Sequence, residues 1–294
     1  MTDQTAPLDV SLPRAAPQTR KVLVRRHSLA VRLTHWINVV SLLFLLLSGL
    51  QIFNAHPALY WGNRSTFAAP WLAMGASEQN GQLVGQTVIG PLHLTTTGLL
   101  GASKVHGAWQ ARGFPAWITI PSEKYLALGR RWHFFFAWLF AINGLVYLAS
   151  GLVSGHLKRD LTPTLDQLRP RRVWHEIVEH ARLRFPKGEE ARRYNVLQKG
   201  AYAGVALVLL PLMVLTGMTM SPSLDASFPW LLEVFGGRQS ARSIHFICAS
   251  LVVAFVVVHL VMVVVSGLWN NIRSMITGRY AIEVEETPAK EIEA

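Results

Sequence analysis

The chain has 294 residues, of which 51% are hydrophobic and only 15% charged, and its net charge is +11. That balance excludes an ordinary soluble domain and points to a membrane protein. The basic residues gather between apolar stretches, as membrane loops do, so nucleic acid is not an expected partner. A single cysteine, Cys248, excludes a disulfide and a Cys-based metal or iron–sulfur site within the chain, and without a C-x-x-C-H motif no haem can be attached covalently.

Taken in order, Met1 to Gln18 is rich in Pro, Ala and Thr and lacks the apolar core of a signal peptide. Residues 1–28 are expected to be a disordered cytoplasmic arm, with a basic collar of Arg20, Lys21, Arg25, Arg26 and Arg32 after Gln18. A first membrane span is predicted over 29–53, with His35 in its opening turns, Trp36 suited to the lipid interface, and Gly49 fourteen residues beyond His35 on nearly the same helix face. A long loop follows over 54–129, with Gly-Pro punctuation and short β-branched pieces that suggest small hairpins and short helices. A loop of this length is usually a functional or docking surface. Its histidines, His56, His93 and His106, are expected to be surface residues.

A second span is predicted over 131–154, with His133 behind Arg130-Arg131, Asn143-Gly144 near the middle and His156 at the far end. The loop over 155–193 carries most of the chain's internal basic residues, and within it Val173 to Leu183 has the spacing of a short surface helix. His175 and His180 are expected to be solvated. The third span, 194–220, holds no histidine and has Pro211 as a predicted kink. Gly204 and Gly217 in it could admit a bulky group against the backbone.

The fourth span, 243–270, lies in a run from Ser243 to Ile272 without one Asp, Glu, Lys or Arg. It contains His245 and His259, fourteen residues apart, which puts both imidazoles on one helix face about 21 Å apart in depth. Ionisable side chains inside a span are costly and mark function by default. Residues 273–294 form an expected cytoplasmic tail, acidic and disordered beyond Arg279. The fold class is thus an all-α membrane protein: a four-transmembrane-helix bundle with a long outer loop between helices 1 and 2.

The charge distribution places both termini in the cytoplasm and the 54–129 loop, with only Arg64, Lys104, Arg112 and Lys124, outside. In that topology His133 and His245 lie at one outer level and His35 and His259 at one inner level. Facing histidines across a bundle form cofactor sites. Two imidazoles without thiolate or carboxylate make a poor zinc site but suit the axial positions of haem iron. Two b-type haems, ligated by His35, His133, His245 and His259, are the expected cofactors. Saturated axial ligation makes them electron carriers rather than oxygen binders. Arg131 and Arg242 on the outer side and Arg32 on the inner side are candidate propionate contacts, or else topology signals and headgroup contacts.

Several stretches carry a resemblance: Arg32 to Trp36 (RLTHW), Arg130 to Tyr147 (RRWHFFFAWLFAINGLVY), Arg193 to Lys199 (RYNVLQK), and ARSIHF with VVVHLVMV in the last span. Together they resemble the di-haem cytochrome b subunits of nickel–iron hydrogenases, formate dehydrogenases and, most closely, thiosulfate-reductase-type complexes. The resemblance implies a cytochrome b four-helix domain over 29–272 in a bacterial inner membrane, with a quinone site at the start of the third helix formed by Asn195 with Tyr194, Gln198 and Lys199. Read from the residues alone, Asn195 and Gln198 could simply cap that helix or face water. The resemblance also implies a periplasmic oxidoreductase partner, a molybdopterin enzyme of the sulfite-oxidase type, docked on the long outer loop. The alternatives are the cytochrome b subunit of a nickel–iron hydrogenase, or a haem-free anchor or transporter.

Overall fold

The computed structural model describes residues 19–182 and 195–285, so Tyr194, the arm over 1–18 and the tail beyond 285 lie outside the described residues. A first strand, β1 (Thr19–Arg25), leads into α1 (Leu29–Phe53). Ser28 caps α1 by accepting a hydrogen bond from the Val31 N–H at 3.3 Å. Between α1 and α2 (Leu126–Val153) lie β2 (Ala58–Leu59), β3 (Leu72–Gln79), β4 (Gln82–Ile89), β5 (Leu92–Thr95), β6 (Ala102–Val105) and β7 (Ala108–Ala111). A short helix, α3 (Pro170–Ala181), follows in the next connection.

The third membrane-length helix is built from α4 (Val196–Gly204), a π-helical turn over Val205–Leu209, and α5 (Leu210–Met218). Pro211 explains the irregularity: it offers no N–H to the ladder, and its ring crowds the carbonyl four residues back, so the helix widens there into a π turn. After the short helices α6 (Pro222–Ser227) and α7 (Trp230–Val234) comes α8 (Arg238–Val265). It stops at Ser266, and Gly267 takes φ 114°, beyond which α9 (Leu268–Thr277) and β8 (Arg279–Glu285) complete the described chain. Four helices, 29–53, 126–153, 196–218 and 238–265, are long and apolar enough to cross a membrane.

Three expectations need correction. Strands are present, so the fold is mostly helical rather than all-α: the 54–125 segment folds into a four-stranded antiparallel sheet, β2-β3-β4-β5, and a β6–β7 hairpin. Asn80-Gly81 and His106-Gly107, all with positive φ, supply the tight turns such hairpins need. Second, the disordered arm and tail do not extend over 19–25 and 279–285. These pair antiparallel from Thr19↔Glu285 to Arg25↔Arg279, which sets a basic strand against a partly acidic one, with Lys21 3.9 Å from Glu283 and Ile282 buried. Third, α2 and α8 each begin five residues before their predicted spans, and α8 ends at 265 rather than 270.

The long helices associate as two hairpins, α1 with α2 and α5 with α8, while α8 approaches α1 and α2 only sparsely. The strand-rich segment sits at one end of the bundle (the loop end) and the β1–β8 ribbon at the other (the ribbon end). At the loop end the segment is fastened to two helices. Gln51 of α1 and Asn54, the residue that caps its C-terminus, hydrogen-bond the Glu123 and Phe114 carbonyls at 2.6 and 3.0 Å. Ser243 of α8 donates to the Tyr60 carbonyl at 2.6 Å and accepts from the Trp71 indole N–H at 2.9 Å. Under these bonds lies a small core of Phe53, Leu59, Leu72 and Met74, against which Phe246 packs. At the ribbon end, Asn270 of α9 exchanges two 2.9 Å hydrogen bonds with Ala281 of β8, and the Trp36 indole donates to the Met275 carbonyl at 3.2 Å.

Candidate functional site

The four membrane histidines come together in two pairs, His133 with His245 at the loop end and His35 with His259 at the ribbon end. In each pair the ring centroids are 6.3 Å apart and the planes are inclined by 64°. Both pairs bridge the sparse gap between the two helix hairpins. α8 contributes one histidine to each, so its fourteen-residue spacing sets their separation along the bundle.

The loop-end pair is tightly seated. The Nδ1 of His133 lies 3.1 Å from the Ser48 hydroxyl of α1, and the Nδ1 of His245 lies 3.0 Å from the Thr216 hydroxyl of α5. Beside each hydroxyl a glycine lets the ring approach the neighbouring backbone. An added Cβ at Gly49 would stand 3.3 Å from Cε1 of His133, and one at Gly217 would stand 3.4 Å from Cε1 of His245. At the ribbon end the rings instead meet aromatic neighbours. Trp36 stands edge-on to His35 at 5.6 Å, and Phe255 stacks on His259 at 5.8 Å and 18°. Tyr202 of α4 is edge-on to Phe255 at 6.4 Å, which links the third helix to this pair. Asn143 of α2 donates to the Thr34 carbonyl at 2.8 Å and the Asn38 side chain at 2.7 Å, and so locks α1 against α2 on both sides of His35.

Residues 26–278 match the family described as prokaryotic cytochrome b561. The chain belongs to the prokaryotic cytochrome b561 family. A protein of Azospira oryzae named "Putative protein-methionine-sulfoxide reductase subunit YedZ1" is 30% identical over 233 residues, which cover 79% of this chain and 87% of its own. No solved structure matches significantly. This b561 chain is thus an integral membrane protein of a haem-b electron-transfer family, and the resemblance read from its motifs is met.

The paired histidines of the cytochrome fit such a group. Two imidazole–metal bonds of about 2.0–2.1 Å, with roughly 1.1 Å from each ring nitrogen to its centroid, add to about 6.3 Å, which matches both pairs. Among the described residues no group of three or more His, Cys, Asp or Glu side chains gathers to hold a metal ion. The imidazoles of each pair, 6.3 Å apart, would hold the group between the two hairpins.

The other candidates are placed less uniformly. Arg242 donates to the Ala58 carbonyl at 2.9 Å and to the His56 carbonyl, and its guanidinium lies over Phe53, so it clamps the loop segment. Arg131 is exposed, and Arg32 has a buried Nε without a hydrogen-bond partner. Asn195 and Gln198 form a capping box: Asn195 Oδ1 accepts from the Gln198 N–H at 2.9 Å and the Gln198 side chain accepts from the Asn195 N–H at 3.4 Å. Lys199 is buried and donates to the Thr162 carbonyl at 3.3 Å and to Gln167 at 3.2 Å, which ties α4 to the preceding connection. Of the loop histidines, His93 and His106 are exposed, whereas His56 is half-buried beside Tyr60. Burial, and then the Arg242 charge, lower the His56 pKa.

Sequence reasoning passed over Ser48, Thr216, Phe246 and Phe255. A signal for the first two was present, because Leu47-Ser48-Gly49-Leu50 and Leu215-Thr216-Gly217-Met218 repeat the same hydroxyl–glycine step on spans one and three.

Proposed function

We propose that this cytochrome b561 carries two haems b, one at His133 and His245 and one at His35 and His259, and passes electrons between the quinone pool and a periplasmic oxidoreductase. The observation that carries the reading is the same 6.3 Å spacing in both histidine pairs, at two levels of one bundle. Each bound group would supply one-electron transfer at a site whose axial positions are both filled, so neither would bind oxygen. The chain is placed in a bacterial inner membrane with both termini cytoplasmic, because its short connections obey the positive-inside pattern. The ribbon end then faces the cytoplasm and the loop end the periplasm.

Quinone is assigned to the start of α4, where Asn195, Gln198 and Lys199 lie, with Tyr194 next to them in sequence. The Tyr202–Phe255–His259 contacts connect that helix to the inner pair. Oxidation of a quinol there would release two electrons and two protons.

The partner is assigned to the strand-rich loop-end segment. Phe246, next to His245 on α8, packs with Phe53 of α1 against the core that anchors that segment. A molybdopterin enzyme of the sulfite-oxidase type is the proposed partner. The name of the Azospira relative suggests oxidised methionine in proteins as the final acceptor. The reading is tested by purifying the chain from a haem-replete host, recording its reduced-minus-oxidised spectrum and adding a quinol analogue. We expect b-type absorption and haem reduction by quinol, slowed in Asn195→Ala with haem content intact. Absence of b-type absorption would overturn the haem reading, and quinol kinetics unchanged in Asn195→Ala would overturn the quinone assignment.

A further inference from the structure

The two hydroxyl–glycine steps form an internal pair. Ser48-Gly49 sits on α1 beside the histidine of α2, and Thr216-Gly217 sits on α5 beside the histidine of α8. In each hairpin the helix that lacks the loop-end histidine therefore supports the helix that bears it. Ser48 and Thr216 are both fully buried, at 0% exposure.

The direction of these hydrogen bonds follows from proton accounting. A hydroxyl has one proton to donate. Ser48 gives its proton to the Phe44 carbonyl at 2.5 Å, and Thr216 gives its proton to the Leu212 carbonyl at 2.7 Å. Each oxygen can then only accept from the imidazole, so Nδ1 carries the proton in both His133 and His245. Nε2 of both rings is then left with its lone pair. Among the described residues, no hydrogen bond reaches the ring of His35 or His259.

We infer that Ser48 and Thr216 are positioning residues that fix the tautomer of His133 and His245 and lower the midpoint potential of the loop-end haem alone. The inference rests on the two-haem reading above. Its physical basis is that an Nδ1–H engaged by an acceptor makes the imidazole a stronger donor, which favours ferric over ferrous iron. The ribbon-end pair has the same spacing without these acceptors, so this effect separates the two potentials.

The test is a redox titration, followed optically, of the full-length chain and of Ser48→Ala, Thr216→Val and Thr216→Ser, each also in a His259→Ala background where the loop-end haem remains alone. Ser41→Ala serves as control, because Ser41 is another fully buried hydroxyl on α1 that hydrogen-bonds no ligand. Ser48→Ala and Thr216→Val should each raise the potential of the same haem, the one His259→Ala retains. The preference for ferric iron should fall up to tenfold, which is about 59 mV for a one-electron couple. Thr216→Ser and Ser41→Ala should stay near the parent. Loss of that same haem in both truncations, with the other haem kept and Thr216→Ser fully loaded, also supports the inference. Unmoved potentials with full haem content overturn it, as does a shift confined to the other haem. A parent chain without haem overturns the functional reading, and this inference with it.

Discussion

At the loop end, His133 and His245 face each other at 6.3 Å and 64°, and each ring leans on a buried hydroxyl of a neighbouring helix. At the ribbon end, His35 and His259 repeat the separation and the angle, but lean on Trp36 and Phe255 and receive no hydrogen bond among the described residues. Part of what they share comes from α8, which contributes one histidine to each pair. The differing part comes from which neighbours the other helices bring. Spacing decides what an axial pair can bind, and the side chains behind the pair decide how strongly each ring donates. The ends also differ outside the membrane-length helices. The loop end is covered by a hydrogen-bonded sheet with a core of its own, while the ribbon end closes with one two-stranded ribbon and polar helix starts.

Four perturbations probe the difference between the two ends. The largest is ligand removal. His35→Ala and His259→Ala should each abolish the same haem, and His133→Ala and His245→Ala the other, as read by haem content and by the low-spin ferric EPR signals. Crossed losses would break the pairing. Next is Arg242→Ala, which removes the clamp on the Ala58 and His56 carbonyls. Charged hydrogen bonds are worth about 1.5–3 kcal/mol, so amide exchange around 56–62 should accelerate while the ribbon stays protected. Unchanged protection at the loop end would remove Arg242 from the account.

A smaller effect is expected from Asn195→Asp, which keeps the capping oxygen and deletes the amide donor. Haem reduction by quinol should slow about three- to tenfold, the worth of one hydrogen bond, with α4 intact. A normal rate would leave Asn195 as a helix cap only. The smallest effect concerns pH at the ribbon end. Burial chiefly, with help from Arg26, lowers the His27 pKa from 6.5 to about 4. The unfolded chain therefore binds more protons between these values, so this residue's contribution is complete above about pH 6.5 and is lost as pH falls towards 4. Relative to His27→Gln, the parent protein should lose thermal stability between pH 7.5 and pH 5. Equal losses in both would show that His27 is not the cause.

Much of this was legible in the sequence. Long uncharged runs gave four spans, because a bilayer core tolerates few alternatives to an apolar helix. Depth arithmetic paired the histidines, because 14 residues are close to a whole number of turns. The strands were less legible. The Asn80-Gly81 turn was in plain view, but the segment's mixed composition blurs its alternation. The β1–β8 ribbon needs a partner more than 250 residues away, which no local window contains. Ser48 and Thr216 were hidden for another reason: a hydroxyl in a membrane helix usually bonds its own preceding turn, and these do so as well as serving a histidine. Arg242 looked like a charge waiting for an anion, whereas the structure gives it backbone carbonyls.

The central claim is that one bundle holds two haems b at two levels. Counting them tests it most directly: haem b per polypeptide by pyridine haemochrome assay, in the parent protein and in His259→Ala. The account predicts two in the parent and one in the variant, with the surviving haem lost when His245→Ala is added. One haem or none in the parent, or two retained in His259→Ala, would contradict it.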